Sequence, residues 1–440
     1  EHDWQTRAIV RTCGTAEEMV AVIPPGTSPL GLAVDVGTTK LAGYLIDLES
    51  GATLAAAGTM NPQIAYGEDV MSRIAYAMGG EDRARELQHV ISGGLNDLTR
   101  ELCVQAGRQS TDIVEAVLVG NTCMHHLVLG LPVAQLGLAP YVPALAEPYD
   151  LKAHELGLAL APGAYAHLLP NIAGFVGADH VAMILATGIH ETHAITVGLD
   201  IGTNTEIVLA ANGRLLSCSC ASGPAFEGAH IRDGMRAAPG AVERVCIEGD
   251  RVEYQTIDDA PPVGICGSGI LDSVAELRRA GVLSSSGSFR PGSHPRVRGR
   301  GKEVEFLLVP ADEHGAPRDL VITRQDVNEI QLAKAAIRAG FEVLLIEAEL
   351  QAEQIERVVV AGAFGTYLDV GSALAVGLFP PLARERFAQV GNAAGQGAKM
   401  ALVSQQARAQ AAAIARRVEY VELTTHPRFT QAYAAALMLP

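Results

Sequence analysis

Asp35-Val36-Gly37-Thr38-Thr39-Lys40 lies between two apolar runs, Gly31-Leu32-Ala33-Val34 and Leu41-Ala42-Gly43-Tyr44-Leu45-Ile46. The stretch reads as a strand, a tight turn and a second strand. Gly37 lets the backbone approach an anion closely, and successive N–H groups and Thr hydroxyls can donate to phosphate oxygens. The pattern recurs as Asp200-Ile201-Gly202-Thr203-Asn204, flanked by Thr196-Val197-Gly198-Leu199 and Ile207-Val208-Leu209-Ala210. One such turn is commonly chosen for backbone geometry alone. Two copies instead predict related halves that clamp one triphosphate. Gly37, Thr38, Thr39, Lys40, Gly202, Thr203 and Asn204 are then the phosphate contacts, and Asp35 and Asp200 hold magnesium through water. Other phosphate-binding solutions are absent: there is no G-x-x-x-x-G-K-[ST], and no G-x-G-x-x-G follows a strand.

The bulk properties narrow the field. At 440 residues with 48% hydrophobic content, the chain can build two or three cores. A formal charge of −16 argues against a nucleic-acid or anionic-membrane partner, both of which demand excess Lys and Arg. The seven cysteines are odd in number and scattered without a C-x-x-C pair, which suits reduced thiols in a cytoplasm. No apolar run reaches the length of a membrane span, and the start at Glu1 predicts a soluble piece of a longer polypeptide.

Strands alternate with helices along the chain, which predicts an α/β fold. Residues 1–29, closing on Ile23-Pro24-Pro25-Gly26, read as the tail of an upstream module and a linker. Residues 30–190 form a first lobe, with a helix through Ala84 to Ala106 and a strand at Ala116–Asn121. Residues 191–440 form a second, with a loop-rich insertion around 284–325, whose arginines read as solvated. In the second lobe, Thr323-Arg324-Gln325-Asp326 resembles a capping box opening a helix with Val327, Ile330, Ala333 and Ile337 on one face.

Three further glycine-bearing turns are candidates for the nucleoside. Ser222-Gly223-Pro224-Ala225-Phe226-Glu227-Gly228 stands before an expected helix, with Ser222, Gly223 and Glu227 as contacts. Gly264-Ile265-Cys266-Gly267-Ser268-Gly269 precedes another, offering Gly267 and Ser268. The strand Val358–Ala361 ends in Gly362-Ala363-Phe364-Gly365, which supplies Gly362, Ala363 and Gly365. For hydrolysis, a water must be oriented near the γ-phosphate. Glu206 and a side chain near Asn121 are the candidates, so Asp35, Asp200 and Glu206 form the catalytic set. His125 and His126 are adjacent and cannot share a helical face as an i, i+4 metal pair, so packing or solvent exposure accounts for them.

The assembled pattern resembles the acetate and sugar kinase, Hsp70 and actin superfamily, and within it the ATP-dependent reductive activators of corrinoid enzymes. The phrases that carry the resemblance run in order from Asp35-Val-Gly-Thr-Thr-Lys40 through Val119-Gly-Asn-Thr-Cys-Met-His-His-Leu127, Leu199-Asp-Ile-Gly-Thr-Asn204, Ser222–Gly228, Gly264–Gly269 and Ala361–Gly365 to Gly391-Asn-Ala-Ala394. It implies a two-lobed ribonuclease-H-like ATPase fold with the nucleotide in an interlobe cleft, and a homodimer. It also implies the reaction: ATP drives return of an oxidised Co(II) corrinoid protein of a methyltransferase system to Co(I). Each ~59 mV shortfall in such a one-electron step costs about 1.4 kcal/mol, which explains a need for ATP. The electron is expected from a [2Fe–2S] domain at the N-terminus, whose C-x₄-C-x₂-C-like run these residues lack.

Three alternatives remain at this level, one of them an ATP-gated binding module without hydrolysis. A radical CoA-dehydratase activator would share a [4Fe–4S] cluster between two subunits, with Cys220 and Cys266 as imaginable ligands. A small-molecule kinase would need a general base beside an acceptor hydroxyl, and no acidic residue stands out for it.

Overall fold

The computed structural model describes residues 5–13, 16–299, 301–311, 313 and 315–440. Its chain divides into two units, one of residues 1–191 and 392–420 and the other of 192–391 and 421–440.

The first unit begins with a hairpin of β1 (Arg7–Cys13) and β2 (Ala16–Ile23). The linker expected over residues 1–29 is therefore largely a folded hairpin. Arg11 ties it to Asp150 at 2.6 Å and lies 4.2 Å over the Tyr165 ring, while Glu18 accepts from Tyr165 Oη. The core sheet follows: β3 (Leu30–Val36), β4 (Lys40–Asp47), β5 (Thr53–Met60), β6 (Ile113–Val119), β7 (Tyr149–Lys152) and β8 (Tyr165–Leu168), in the order β5-β4-β3-β6-β8-β7. The central strand β3 is buried almost throughout and pairs antiparallel with β4 and parallel with β6, so its unbroken apolar run fits a strand covered on both faces.

Helix α1 (Val70–Ala77) is capped by Asp69, and α2 (Glu81–Ala106) ends at Gly107 in the left-handed conformation. Leu87, Ile91, Leu95, Leu98 and Leu102 form the buried stripe of α2. A Cβ on Gly43 would sit 2.9 Å from Leu98, so glycine in β4 allows the helix to lie close. Helices α3 (Thr122–Leu129) and α4 (Ala178–Thr187) complete this stretch.

The second unit repeats the plan. It begins with β9 (Thr196–Ile201), β10 (Thr205–Ala211) and β11 (Arg214–Cys220), then β12 (Ala241–Glu248), β13 (Arg251–Thr256) and β14 (Gly264–Ile265), before helix α5 (Gly267–Arg279). The expected insertion is a small sheet of β15 (Val297–Arg298), β16 (Glu305–Val309) and β17 (Leu320–Thr323). Arg298 in it is ion-paired to Glu305 and Asp319 rather than merely solvated. The capping box forms: Thr323 Oγ1 accepts from Asp326 N–H and Asp326 Oδ2 accepts from Thr323 N–H, starting α6 (Arg324–Glu347). Then come β18 (Arg357–Ala361), the short helices α7 (Ala363–Tyr367) and α8 (Val370–Val376), and β19 (Phe387–Gly391). The strands of this unit lie in its sheet in the order β19-β18-β9-β10-β11. In both units a three-stranded antiparallel meander adds two parallel strands beside its first strand. That shared order is the structural form of the duplicated sequence.

The division at 190 falls one residue from the boundary at Glu191, yet the second lobe is not continuous to residue 440. Residues 392–420 return to the first unit as α9 (Ala393–Val403) and α10 (Gln405–Arg417). The reason is close helix packing: a Cβ on Gly397 would stand 2.1 Å from Ala182 O of α4. Overpacking at such a contact costs about 1–3 kcal/mol. Gly397→Val should therefore lower the unfolding free energy of the first unit by about 2 kcal/mol or more. Denaturant titration checks this, and an unchanged midpoint would remove the close contact from the account.

Candidate functional site

The two repeated turns are built alike. In the first unit the turn after β3 has its carbonyls held from one side. Asn61 Nδ2 donates to Gly37 O at 2.9 Å, Arg73 to Thr38 O at 2.5 Å, and Asn61 N–H to Thr39 O at 2.9 Å. Asn121 Nδ2 donates to Thr38 Oγ1 at 2.8 Å. In the second unit Ser222 Oγ donates to Gly202 O at 3.1 Å and Gly223 N–H to Thr203 O at 2.9 Å. The N–H groups of Thr38, Thr39, Thr203 and Asn204 have no acceptor among the described residues. Uncommitted neighbouring amides in a turn are what an anion requires, because a backbone donor left dry and unpaired is costly. Lys40 is exposed at the start of β4, beside the first set.

The strand that runs parallel to each turn-bearing strand also ends the same way. Gly120 follows β6, and a Cβ there would meet Val36 O at 2.7 Å. Gly362 follows β18 with φ +90°, and a Cβ there would meet Asp200 Oδ1 and Ile201 O, each at 2.7 Å. Gly362 is thus required twice over, for its backbone angle and for the space of the Asp200 carboxylate.

The acidic residues occupy distinct settings. Asp200 and Glu206 stand directly opposite each other on β9 and β10, and Glu206, buried, accepts from Ser219 on β11. Cys218 and Cys220 lie at alternate positions of β11, against Gly340 of α6. Asp35 keeps a little solvent contact, yet enclosure of its carboxyl outweighs a hydrogen bond from Asn392 Nδ2 at 3.0 Å and pushes its pKa up to about 6. Asn392 also accepts from Gly395 N–H at 2.7 Å, so the residue capping α9 fixes this carboxylate.

The other loops of the second unit converge. Phe226 stacks on Phe364 with centroids 4.8 Å apart, joining the Ser222–Gly228 and Gly362–Gly365 loops. Gly267 lies under both: a Cβ there would overlap Phe226 O at 1.8 Å. Ser268 is buried with its hydroxyl on Cys266 Sγ at 3.3 Å, so Gly267 and Ser268 support the loops from behind. Glu227 accepts from Thr203 Oγ1. The helix expected with the Ser222–Gly228 stretch does not form: only a 3-10 turn, Pro224–Glu227, lies there, bounded by Gly223 and Gly228, which both take positive φ. Ala363 starts α7, and Gly365 is buried within it.

Sequence reasoning missed Asn61, Arg73 and Asn392 as parts of the first turn. Asn392 belongs to the Gly391–Ala394 stretch, but nothing in its neighbourhood signals Asp35 as its partner. His126 is a packing residue, as expected. Its Nδ1 meets Thr122 O at 2.7 Å and its Nε2 accepts from Ala144 N–H at 2.9 Å. His125 is buried and held neutral, its pKa pushed down to about 3 by burial. Among the described residues no three His, Cys, Asp or Glu side chains come together as a metal site, and no helix is long and apolar enough to cross a membrane.

The raised pKa of Asp35 has a direction. The folded state favours the neutral carboxyl, so its contribution is fully present below about pH 4 and is lost as pH rises through 6. Asp35→Asn mimics the protonated form. The variant should be more stable than the parent above pH 6, by at most about 3 kcal/mol, with no difference near pH 4. Urea titrations at pH 4 and pH 8 check this, and an equal difference at both would refute it.

Comparison with known proteins now bears on this geometry. Residues 194–440 match the family described as the C-terminal, ASKHA domain of RACo, and residues 30–192 match the RACo middle region. The corrinoid activation enzyme RamQ of Eubacterium limosum is 36% identical over 411 residues, spanning 92% of this chain and 69% of that protein. The [Co(II) methylated amine-specific corrinoid protein] reductase of Methanosarcina barkeri is 28% identical over 82% of this chain and 68% of its own. A solved reductive activator for a corrinoid, iron–sulfur protein superposes with a TM-score of 0.91 at 38% identity, covering all of this chain and 71% of that one. The chain, with its duplicated turns on an ASKHA fold, belongs to the RACo family of corrinoid reductive activators.

Proposed function

We propose that this chain is the ATP-binding and ATP-hydrolysing part of an enzyme that returns an inactive Co(II) corrinoid protein to Co(I). The observation that carries the reading is the pair of turns whose carbonyls are held and whose amides are uncommitted. Such donors suit phosphate oxygens, and family membership supplies the corrinoid partner. Asp35 and Asp200 fit a magnesium ion bound through water, since each carboxylate closes the strand that leads into an amide-bearing turn. The ion would neutralise charge on the phosphates.

The residues themselves do four things in this reading. Thr38, Thr39, Thr203 and Asn204 bind phosphate oxygens through N–H groups, and Lys40 and Gly202 complete the turns. Gly362 leaves room for the Asp200 carboxylate. Glu206, opposite Asp200, orients the attacking water. The Gly223–Glu227 and Gly362–Gly365 loops, joined by the Phe226–Phe364 stack, bear on the nucleoside. The electron would come from a [2Fe–2S] domain outside these residues. We extend the proposal to a homodimer, to a cytoplasmic setting and to a corrinoid protein of a methyltransferase system. A nucleotide can drive the reaction only by binding two states of the enzyme differently, so ATP should change affinity for the corrinoid protein.

A [4Fe–4S] cluster shared between subunits is not favoured. Cys220 and Cys266 are 1% and 2% exposed, and Cys266 Sγ is engaged with Val242 O at 3.2 Å. Neither thiol can reach another chain without unpacking the second core.

Phosphate release by this chain, measured with and without a Co(II) corrinoid protein, tests the reading. Release should occur and should rise with the partner present. Asp200→Ala should reduce it by about 100-fold or more, a loss typical of removed charge stabilisation, and Gly362→Ala by about tenfold through displacement of Asp200. Full activity in Asp200→Ala would overturn the site assignment.

A further inference from the structure

Arg73 is among the largest fully buried side chains in the protein, at 0% exposure. Its guanidinium donates to Thr38 O at 2.5 Å, Gly67 O at 2.9 Å and Gln63 Oε1 at 3.2 Å, and it meets Met124 Sδ at 3.1 Å. All four partners are neutral. No carboxylate lies within ion-pair distance of it among the described residues. The nearby Asp69 carboxylate, which caps α1 by accepting from Ser72 N–H at 2.7 Å, acts on the guanidinium only through space and makes no ion pair with it. Cys123, also close, is a buried thiol whose pKa is pushed up to about 12, so it carries no compensating charge at neutral pH. Burial pushes Arg73 itself down only to about 10, which leaves it cationic.

A buried cation without an ion-paired partner is unfavourable, and a bound anion would compensate it. Here the charge, without an ion-paired carboxylate, sits on the carbonyl side of the peptide whose N–H is that of Thr39. The corresponding brace in the second unit is neutral, being Ser222 Oγ and the Gly223 amide. The duplicated halves thus differ in charge at equivalent positions. That difference is not needed to hold a turn, since serine and a backbone N–H suffice in the other copy.

We propose that Arg73 is a positioning residue for the nucleotide, fixing the Gly37–Thr39 turn and lending it a positive charge that a phosphate group neutralises. The inference rests on the nucleotide reading above and adds the residue that sets phosphate charge preference at the first turn. Arg73 does not touch the phosphate. It acts through the Thr38 peptide, whose carbonyl it polarises, and through its field in a low-dielectric interior.

Calorimetric binding of Mg–ATP, Mg–ADP and adenosine to the parent, Arg73→Gln and Arg73→Lys tests this, with the melting temperature of each recorded without ligand. Gln keeps neutral donors but loses the charge, and Lys keeps the charge. Arg73→Gln should weaken Mg–ATP on the order of tenfold, as expected for a lost charge-assisted interaction, weaken Mg–ADP less, and leave adenosine unchanged. Arg73→Lys, which keeps the charge but loses the guanidinium fork, should weaken Mg–ATP less than Gln does and leave adenosine unchanged. Equal weakening of all three ligands by Gln, or no weakening of Mg–ATP in a folded Gln variant, would overturn the proposal. If Gln does not fold, Lys decides: a folded Lys variant that weakens Mg–ATP, Mg–ADP and adenosine equally overturns it too. A parent protein that binds none of the three would instead overturn the nucleotide reading itself.

Discussion

The constraint on which the rest depends is the capture of turn carbonyls from one side. In each unit a turn after the central strand would otherwise satisfy its own peptide groups or expose them to water. Asn61 and Arg73 take the carbonyls of the first turn, and Ser222 and Gly223 those of the second. Peptide groups whose oxygens are fixed present their N–H groups in a fixed direction, which costs no reorganisation when a phosphate binds. Much of the surrounding structure serves that arrangement. Gly120 and Gly362 let the parallel strand end close against the turn-bearing strand. Asn392 caps α9 and holds Asp35 with the same side chain.

The two halves share a sheet order but have diverged in how they brace their turns. The first uses residues from the segment after β5 and from α1. The second uses the loop immediately after β11, backed by the Phe226–Phe364 stack and by Gly267. The chain passes from one unit to the other at Gly391 and Asn392. Gly391 O accepts from Gly362 N–H in the second unit, and Asn392 binds Asp35 in the first. Each of these consecutive residues is therefore part of the turn region of its own unit.

Local features were legible in the sequence, and long-range ones were not. Both hairpins, the Thr323–Asp326 capping box and the apolar face of the helix it opens depend on residues within a few positions of one another, so spacing alone exposes them. The glycine loops were legible as candidates, though not the 3-10 turn at Pro224, where two positive-φ glycines overrode the helix expected there. Arg73 sits in a short helix, and no motif around it marks it as part of the first turn. Only the fold reveals that Thr38, 35 positions away, is its partner. The same holds for Asn392 and Asp35, separated by 357 positions. The return of residues 392–420 to the first unit was hidden because α9 is rich in Gly and Ala, and small residues give a weak periodic signal while permitting the closest helix contacts.

A structure of the chain with magnesium and a non-hydrolysable ATP analogue is the most direct test. The account predicts phosphate oxygens about 3 Å from the amides of Thr38 and Thr39 and from those of Thr203 and Asn204, with Arg73 still on Thr38 O. A nucleotide whose phosphates lie away from either set of amides would contradict it.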